Sequence, residues 1–228
     1  MYDKYLLIAA VCTATWSAPS LVTNAHAGTV TGSLSGQVYI GADTDRQAAE
    51  AGVVVYFESA PKLDDAADGR KERRTVNQKN ETFTPHLTVI ARGGTVDFPN
   101  DDRVFHNVFS LSATKRFDLG LFRDGESRSV TFKRTGVVDV YCNIHPKMAA
   151  RVLVVPNTFY TQTDEHGRFE ITGIPAGTYT AVVWNGSETR TEVEIRANKS
   201  TAATVELAPP PRRKRHLRKD GTPYGRYR

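Results

Sequence analysis

The chain has 228 residues, 39% of them hydrophobic, and a formal net charge of +5. That length allows two modest domains, and the composition is not that of a disordered or fibrous protein. The charge does not argue for a nucleic-acid partner, because it sits at one end. Residues 209–228 carry eight Arg or Lys against Asp220, a net of +7, which leaves 28–208 slightly acidic.

Taken in order, residues 1–27 begin with Lys4, continue as an apolar run from Tyr5 to Ala14 and end in Ala25-His26-Ala27. This is the pattern of a secretory signal peptide with cleavage after Ala27. Its apolar run is too short to span a bilayer, and Val11 before Cys12 speaks against a lipoprotein signal. The expectation is an exported protein, periplasmic or secreted. From residue 28 onward the chain has one cysteine, Cys142. Exported domains use cysteines mostly in disulfide pairs, so a lone thiol is either buried or bound to a metal.

Strand patterns dominate the remainder. Short alternating runs rich in Val, Thr, Tyr and Phe stand between Gly, Pro and Asn, among them Gly36–Ile40, Val53–Glu58, Leu87–Ala91, Thr95–Phe98, Val137–Tyr141, Thr178–Trp184 and Ala203–Leu207. No window of helical length keeps a 3.6-residue apolar period, so the class is all-β, built of sandwiches. Residues 61–74 are charged and contain Pro61 and Gly69, which reads as a strandless, solvated linker. The segment 209–228 opens with three prolines and is almost devoid of apolar residues; it reads as a disordered basic tail. Such a tail either keeps the protein soluble or holds it on an anionic surface or membrane.

The chemistry is concentrated in Tyr141-Cys142-Asn143-Ile144-His145-Pro146-Lys147-Met148. A thiolate, an imidazole and a thioether stand at C-x2-H-x2-M, directly after a strand pattern, and His106 supplies another imidazole upstream. Two His and one Cys with a weak axial Met are the ligand set of a mononuclear blue-copper site. Other metal centres fail on counting. A dinuclear copper site needs a second Cys, multicopper oxidases need repeated His-x-His pairs, and structural zinc sites use Cys and His throughout. His86 and His166 have no partners at ligand spacing and read as surface residues. Asp164-Glu165-His166-Gly167 lacks the further carboxylates of a calcium loop and reads as a turn.

Phe83-Thr84-Pro85, Gly93 to Asp101, His106-Asn107, Phe117 to Gly120 and Cys142 to Met148 together resemble the cupredoxin family. The ligand-loop spacing is similar to that of amicyanin, and the whole to plastocyanin-like proteins of the methylamine-utilization type. The resemblance covers residues 75–156. It implies one copper per chain on His106, Cys142, His145 and Met148, with Asn107 supporting the cysteine loop from behind the ligands. It also implies a one-electron carrier rather than an enzyme, meeting a redox partner protein near His145, where Pro146, Phe105 and Ala149 would form a small docking face. Copper buffering or delivery, or a structural copper in an adhesion-type sandwich, remain as alternatives; a chain with only Met1 and Met148 as methionines lacks the Met-rich surface of a metal chaperone.

Thr163 to Phe169 and Gly173 to Tyr179 resemble a carboxypeptidase regulatory-like, transthyretin-like sandwich over residues 157–208. The two strands that open that family's sandwich are missing there. Residues 28–60 contain them, as Gly36-Gln37-Val38 and Gly52 to Tyr56. The expectation is that the cupredoxin-like segment is inserted into this smaller sandwich, the alternative being that 28–60 extends the cupredoxin-like sheet.

Overall fold

The computed structural model describes residues 30–41, 47–48, 52–66, 72–211 and 217–224. The signal peptide read from residues 1–27 lies outside them. Among the described residues the protein is almost entirely β, with a single short helix, α1 (Pro61–Ala66).

Before α1 come β1 (Thr31–Ile40), β2 (Gln47–Ala48) and β3 (Val54–Phe57). After it come β4 (Arg73–Thr75), β5 (Asn77–Lys79), β6 (Thr82–Thr84), β7 (Leu87–Ala91), β8 (Thr95–Pro99), β9 (His106–Ser110), β10 (Phe117–Phe122), β11 (Ser127–Thr131), β12 (Gly136–Tyr141) and β13 (Ala149–Val155). The last strands are β14 (Tyr160–Gln162), β15 (Arg168–Pro175), β16 (Gly177–Trp184), β17 (Glu188–Ile195) and β18 (Ser200–Leu207).

Pairing sorts these strands into two sandwiches. β1 lies between β15 and β18, and β3 lies between β14 and β16. The N-terminal strands therefore pair with the C-terminal ones and make one sandwich, the host. β10-β9-β12-β13-β7 and β11-β8-β4 form the two sheets of an inserted sandwich, with the hairpin β5-β6 beside them. In the host, β1 and β18 run parallel and approach closely at Gly36. A Cβ there would lie 1.8 Å from the Ala203 carbonyl oxygen, so no side chain fits.

Alternation along β3 explains why all four of its residues are buried. Val55 and Phe57 face the core between the host sheets, with Leu34, Val38, Ile174, Val183 and others. Val54 and Tyr56 face the other way, into a cluster with Val89, Leu153, Val155, Val182 and Trp184. β13 has the same double burial. Ala150, Val152 and Val154 line the core of the insert, while Leu153 and Val155 meet β3 and β16. A strand buried on both faces reads as a continuous apolar run, and Arg151-Val152-Leu153-Val154-Val155 is such a run. Among the described residues the four larger sheets thus stack with three apolar layers between them. Polar groups seal the central layer: the Tyr160 hydroxyl meets Glu72, accepts from Arg74 Nη2 at 2.7 Å and donates to the Val89 carbonyl at 3.2 Å. Arg151 bonds Asp139 at 2.7 Å and lies over the Trp184 ring at 5.8 Å.

Two readings of the sequence are corrected here. Residues 61–74 are not a strandless linker. α1 starts at Pro61, a favourable first helical position, and drives Leu63 fully into the host core. β4 then pairs in parallel with β8 and is held by Arg73–Asp97, so the inserted sandwich begins at Arg73 rather than at 75. One leucine among charges, and an edge strand with every side chain exposed, leave almost no periodic signal. Nor is the basic tail without structure throughout: residues 217–224 form a turn that lies against the insert. Asp220 Oδ1 accepts from both the backbone and the hydroxyl of Thr222 at 2.9 and 2.6 Å, and the Gly221 amide donates to the Arg218 carbonyl at 2.9 Å. Composition marks a segment that cannot build its own core; it carries no information about partners elsewhere in the chain.

Candidate metal centre

His106 opens β9, and Cys142 follows directly on β12. Because Tyr141 pairs with Phe109 on one side and with Ala149 on the other, β9, β12 and β13 deliver both residues to the same end of the insert. The loop between β12 and β13 is cinched by two backbone hydrogen bonds, Cys142 N–H to the Met148 carbonyl at 3.2 Å and Met148 N–H to the His145 carbonyl at 3.1 Å. Pro146 lies inside that turn and limits its freedom.

The donors converge. His106 Nδ1 and His145 Nδ1 are 3.0 Å apart, and Cys142 Sγ is 3.7 Å from His145 Nδ1. Among the described residues, His106, Cys142 and His145 are the group of potential ligands whose donor atoms all lie within 4.8 Å of one another. Cys142 and Met148 are fully buried in the core of the insert, as is His106, whereas the His145 side chain keeps 18% of its surface exposed. Two imidazole nitrogens and a thiol sulfur facing one small space, with a thioether buried in the same cluster, is a donor set suited to copper in both oxidation states. His86 and His166 are exposed and take no part. At Asp164 the chain makes a turn, its carboxylate accepting from the amides of His166 and Arg168 at 2.8 and 2.9 Å.

The surroundings set the protonation of these donors. Burial depresses the pKa of His106, but bonding and proximity to Cys142 and Asp102 outweigh it and raise the pKa. Burial pushes the Cys142 thiol up, yet hydrogen bonds from His106 and from the amides of Asn107, Ile144 and His145 bring it below its ordinary value. His145 is held down by burial and by the neighbouring His106. A metal takes these donors as thiolate and neutral imidazole. Metal binding would displace any proton they hold.

Asp102 is the residue that spacing did not reveal. Its Oδ2 lies 3.1 Å from His106 Nε2 and accepts the Glu81 amide at 2.7 Å, so the carboxylate orients the ring and turns Nδ1 toward the other donors. Such carboxylate–histidine pairs fix tautomer and orientation in metal sites. Asn100, fully buried, anchors the loop that presents it: its side chain donates to the carbonyls of Val104 and Phe122 and accepts the Asp102 amide. Asn-Asp-Asp ahead of a ligand histidine was the available signal, but only the fold shows which carboxylate reaches the ring. Asn107 supports the cysteine through its backbone amide, while its side chain donates to Asp118 Oδ1 at 2.7 Å. The tail contributes as well. Tyr224 Oη donates to the Cys142 carbonyl at 2.6 Å, and burial, followed by the negative charge of Cys142, pushes its hydroxyl pKa up to about 12.

Comparison with solved structures returns copper proteins, each matched over part of this chain. A purple cupredoxin from Nitrosopumilus maritimus is 26% identical over 36% of this chain and 98% of its own, with a TM-score of 0.33. Amicyanin from Paracoccus versutus is 21% identical over 44% of this chain and 96% of its own, at 0.34. A copper-containing nitrite reductase from Thermus scotoductus is 26% identical over 36% of this chain and 22% of its own, at 0.35. A family model described as polysaccharide lyase family 4, domain II, matches residues 156–203, within the host sandwich. No curated protein matches the chain.

Proposed function

We propose that this chain is an exported mononuclear blue-copper protein, and that it acts as a one-electron carrier and not as an enzyme. One observation carries the reading: His106 Nδ1, His145 Nδ1 and Cys142 Sγ meet at a buried end of the insert, beside Met148. His106, Cys142, His145 and Met148 would hold a single copper, which supplies a Cu(I)/Cu(II) couple when bound. Asp102 keeps the His106 ring in place, the amides of Asn107, Ile144 and His145 bond the sulfur, and the tight loop keeps Cys142 and Met148 in register. Four protein donors on stiff supports suit a site whose geometry changes little between oxidation states.

His145, as the partly exposed ligand, offers the route to a redox partner. Val104 and Phe105, just ahead of His106, and Leu121, paired with Asn107, are exposed apolar side chains at that end. A small apolar contact of this kind fits a transient electron-transfer encounter. Among the described residues, the host sandwich contributes no member to this group of donors. Export rests on the leader pattern of residues 1–27.

Loading purified protein with Cu(II) and recording visible and electron spin resonance spectra tests the proposal. An intense Cu–thiolate charge-transfer band, lost in Cys142→Ser, is the expected result. A colourless Cu(II) complex in the wild type would refute it.

A further inference from the structure

The C-terminal turn sits on the ligand loop. Besides Tyr224 on the Cys142 carbonyl, the Lys219 amide donates to Asn143 Oδ1 at 3.0 Å and Lys219 Nζ pairs with Asp118 Oδ2 at 2.7 Å. The other Asp118 oxygen accepts from Asn107 Nδ2 at 2.7 Å and from the Gly120 amide at 2.9 Å. The turn is internally braced, with the Arg218 guanidinium 5.5 Å from the centre of the Tyr224 ring and the Arg218 amide bonded to the Thr222 carbonyl at 2.9 Å. The approach is also tied down. Asn185 Nδ2 donates to the Ala208 carbonyl at 2.9 Å, and Pro211 packs on Gly186, where a Cβ would lie 3.1 Å from its ring. Chain that leaves the host sandwich at β18 is thus led past the β16–β17 turn, and its described end lies at the metal-binding end of the insert.

We propose that residues 217–224 are an intramolecular strap that tunes the reduction potential of the copper site and holds it high. The inference rests on the copper reading above. Two effects act with the same sign. Tyr224 bonds the carbonyl of the residue that supplies the thiolate, drawing electron density from it and fixing its backbone. Lys219 neutralises Asp118, a carboxylate that accepts from the side chain of Asn107, the residue that follows His106 and whose own amide bonds Cys142 Sγ. Take Lys219 away and an uncompensated negative charge faces the site. Negative charge favours the more positive Cu(II) state, so the potential falls. Lys219 and Asp118 are both partly exposed, and solvent screening limits the effect of such pairs.

Potentiometric titration of the copper-loaded full chain tests this in Tyr224→Phe, Lys219→Met and the double variant Lys219→Met/Asp118→Asn. Each single variant should lower the potential. The shift expected is severalfold in the Cu(I)/Cu(II) equilibrium constant, bounded by about tenfold, or about 59 mV for a one-electron couple. The double variant should recover most of the Lys219→Met shift, because it removes the charge that the lysine had balanced. A second readout needs no metal: in the metal-free chain, hydrogen exchange at the amides of Arg218 and Gly221 should be slowed in the wild type and accelerate in both single variants. Single variants that keep the wild-type potential while these amides accelerate would overturn the proposal and leave the strap a mere attachment. Fast exchange at these amides in the wild type would overturn it too. Failure of the copper reading is recognised separately, by a wild type without a thiolate band, and it would remove the strap's role before any variant is made.

Discussion

Leu153→Ala tests whether the two sandwiches are one structural unit. Leu153 is 2% exposed and lies on the face of β13 turned away from the metal-side core, among Val54, Tyr56, Val89, Val182 and Trp184. Truncation removes three carbons from a layer whose walls are two paired sheets, and these can close little of the gap. Leucine-to-alanine changes at such sites cost about 2.7–5.0 kcal/mol; the rigid walls on both sides place this one in the upper half, about 4 kcal/mol. Urea unfolding of the metal-free chain begun at Gly28 provides the assay. Its lone tryptophan is Trp184, which sits in the perturbed layer, while far-ultraviolet dichroism reports all strands. Both probes should give one coincident transition, shifted to lower urea by the same amount with an unchanged slope. A loss below about 1 kcal/mol, or two separate transitions of which only one moves, would show that the central layer is a loose contact between independent domains.

Gly36→Ala should cost about 3 kcal/mol, the upper end for overpacking, because the new methyl meets the Ala203 carbonyl; unchanged thermal unfolding would contradict the close β1–β18 approach. Asp118 provides a pH test. Burial pushes its carboxyl up, but Lys219, the Gly120 amide and Asn107 outweigh this and hold it below the usual range. Its stabilising contribution is therefore present above the unfolded value near 3.9 and is lost as pH falls through the folded one. The difference in urea midpoint between wild type and Asp118→Asn should be constant from pH 7 to about 5 and shrink on further acidification; a difference that stays constant to pH 3 would contradict this. Ala149→Asp places a charge beside the loop that carries His145, and should slow reduction by a physiological donor severalfold with little change in affinity for copper. Unchanged kinetics would place the electron-transfer contact elsewhere.

The convergence of Cys142 and His145 was legible because C-x2-H-x2-M after a strand pattern is dense with meaning: each residue type there has few other reasons to occur together. The all-β class was legible from period-two alternation. The layer order was not, because β3 and β13 are buried on both faces and their runs of Val, Leu, Tyr and Phe cannot say which neighbour covers which side. Asp102 and Tyr224 escaped notice for a different reason. A carboxylate in a polar loop and a tyrosine in a basic tail have ordinary explanations until the backbone brings them to His106 and to Cys142. Leu63 shows the same limit in the core: one buried side chain in a short helix has no period to detect.

The interrupted host sandwich also constrains the order in which the molecule is made. β1 pairs with β18 residue by residue, Ser33 with Ser200 and Ile40 with Leu207, so the host sheet cannot close until the chain has been made through Leu207. The insert is contiguous from Arg73 to Val155, and its pairings are of far shorter range. Shorter loops close at lower entropic cost, so the inserted sandwich is the part able to fold first. Until β16 arrives to pair with β3, Leu153 and Val155 lack the part of their cover that Val182 and Trp184 supply. The later strands then act as the chaperone of that face of β13, and the turn at 217–224, made after them, adds its bonds to Asn143 and the Cys142 carbonyl.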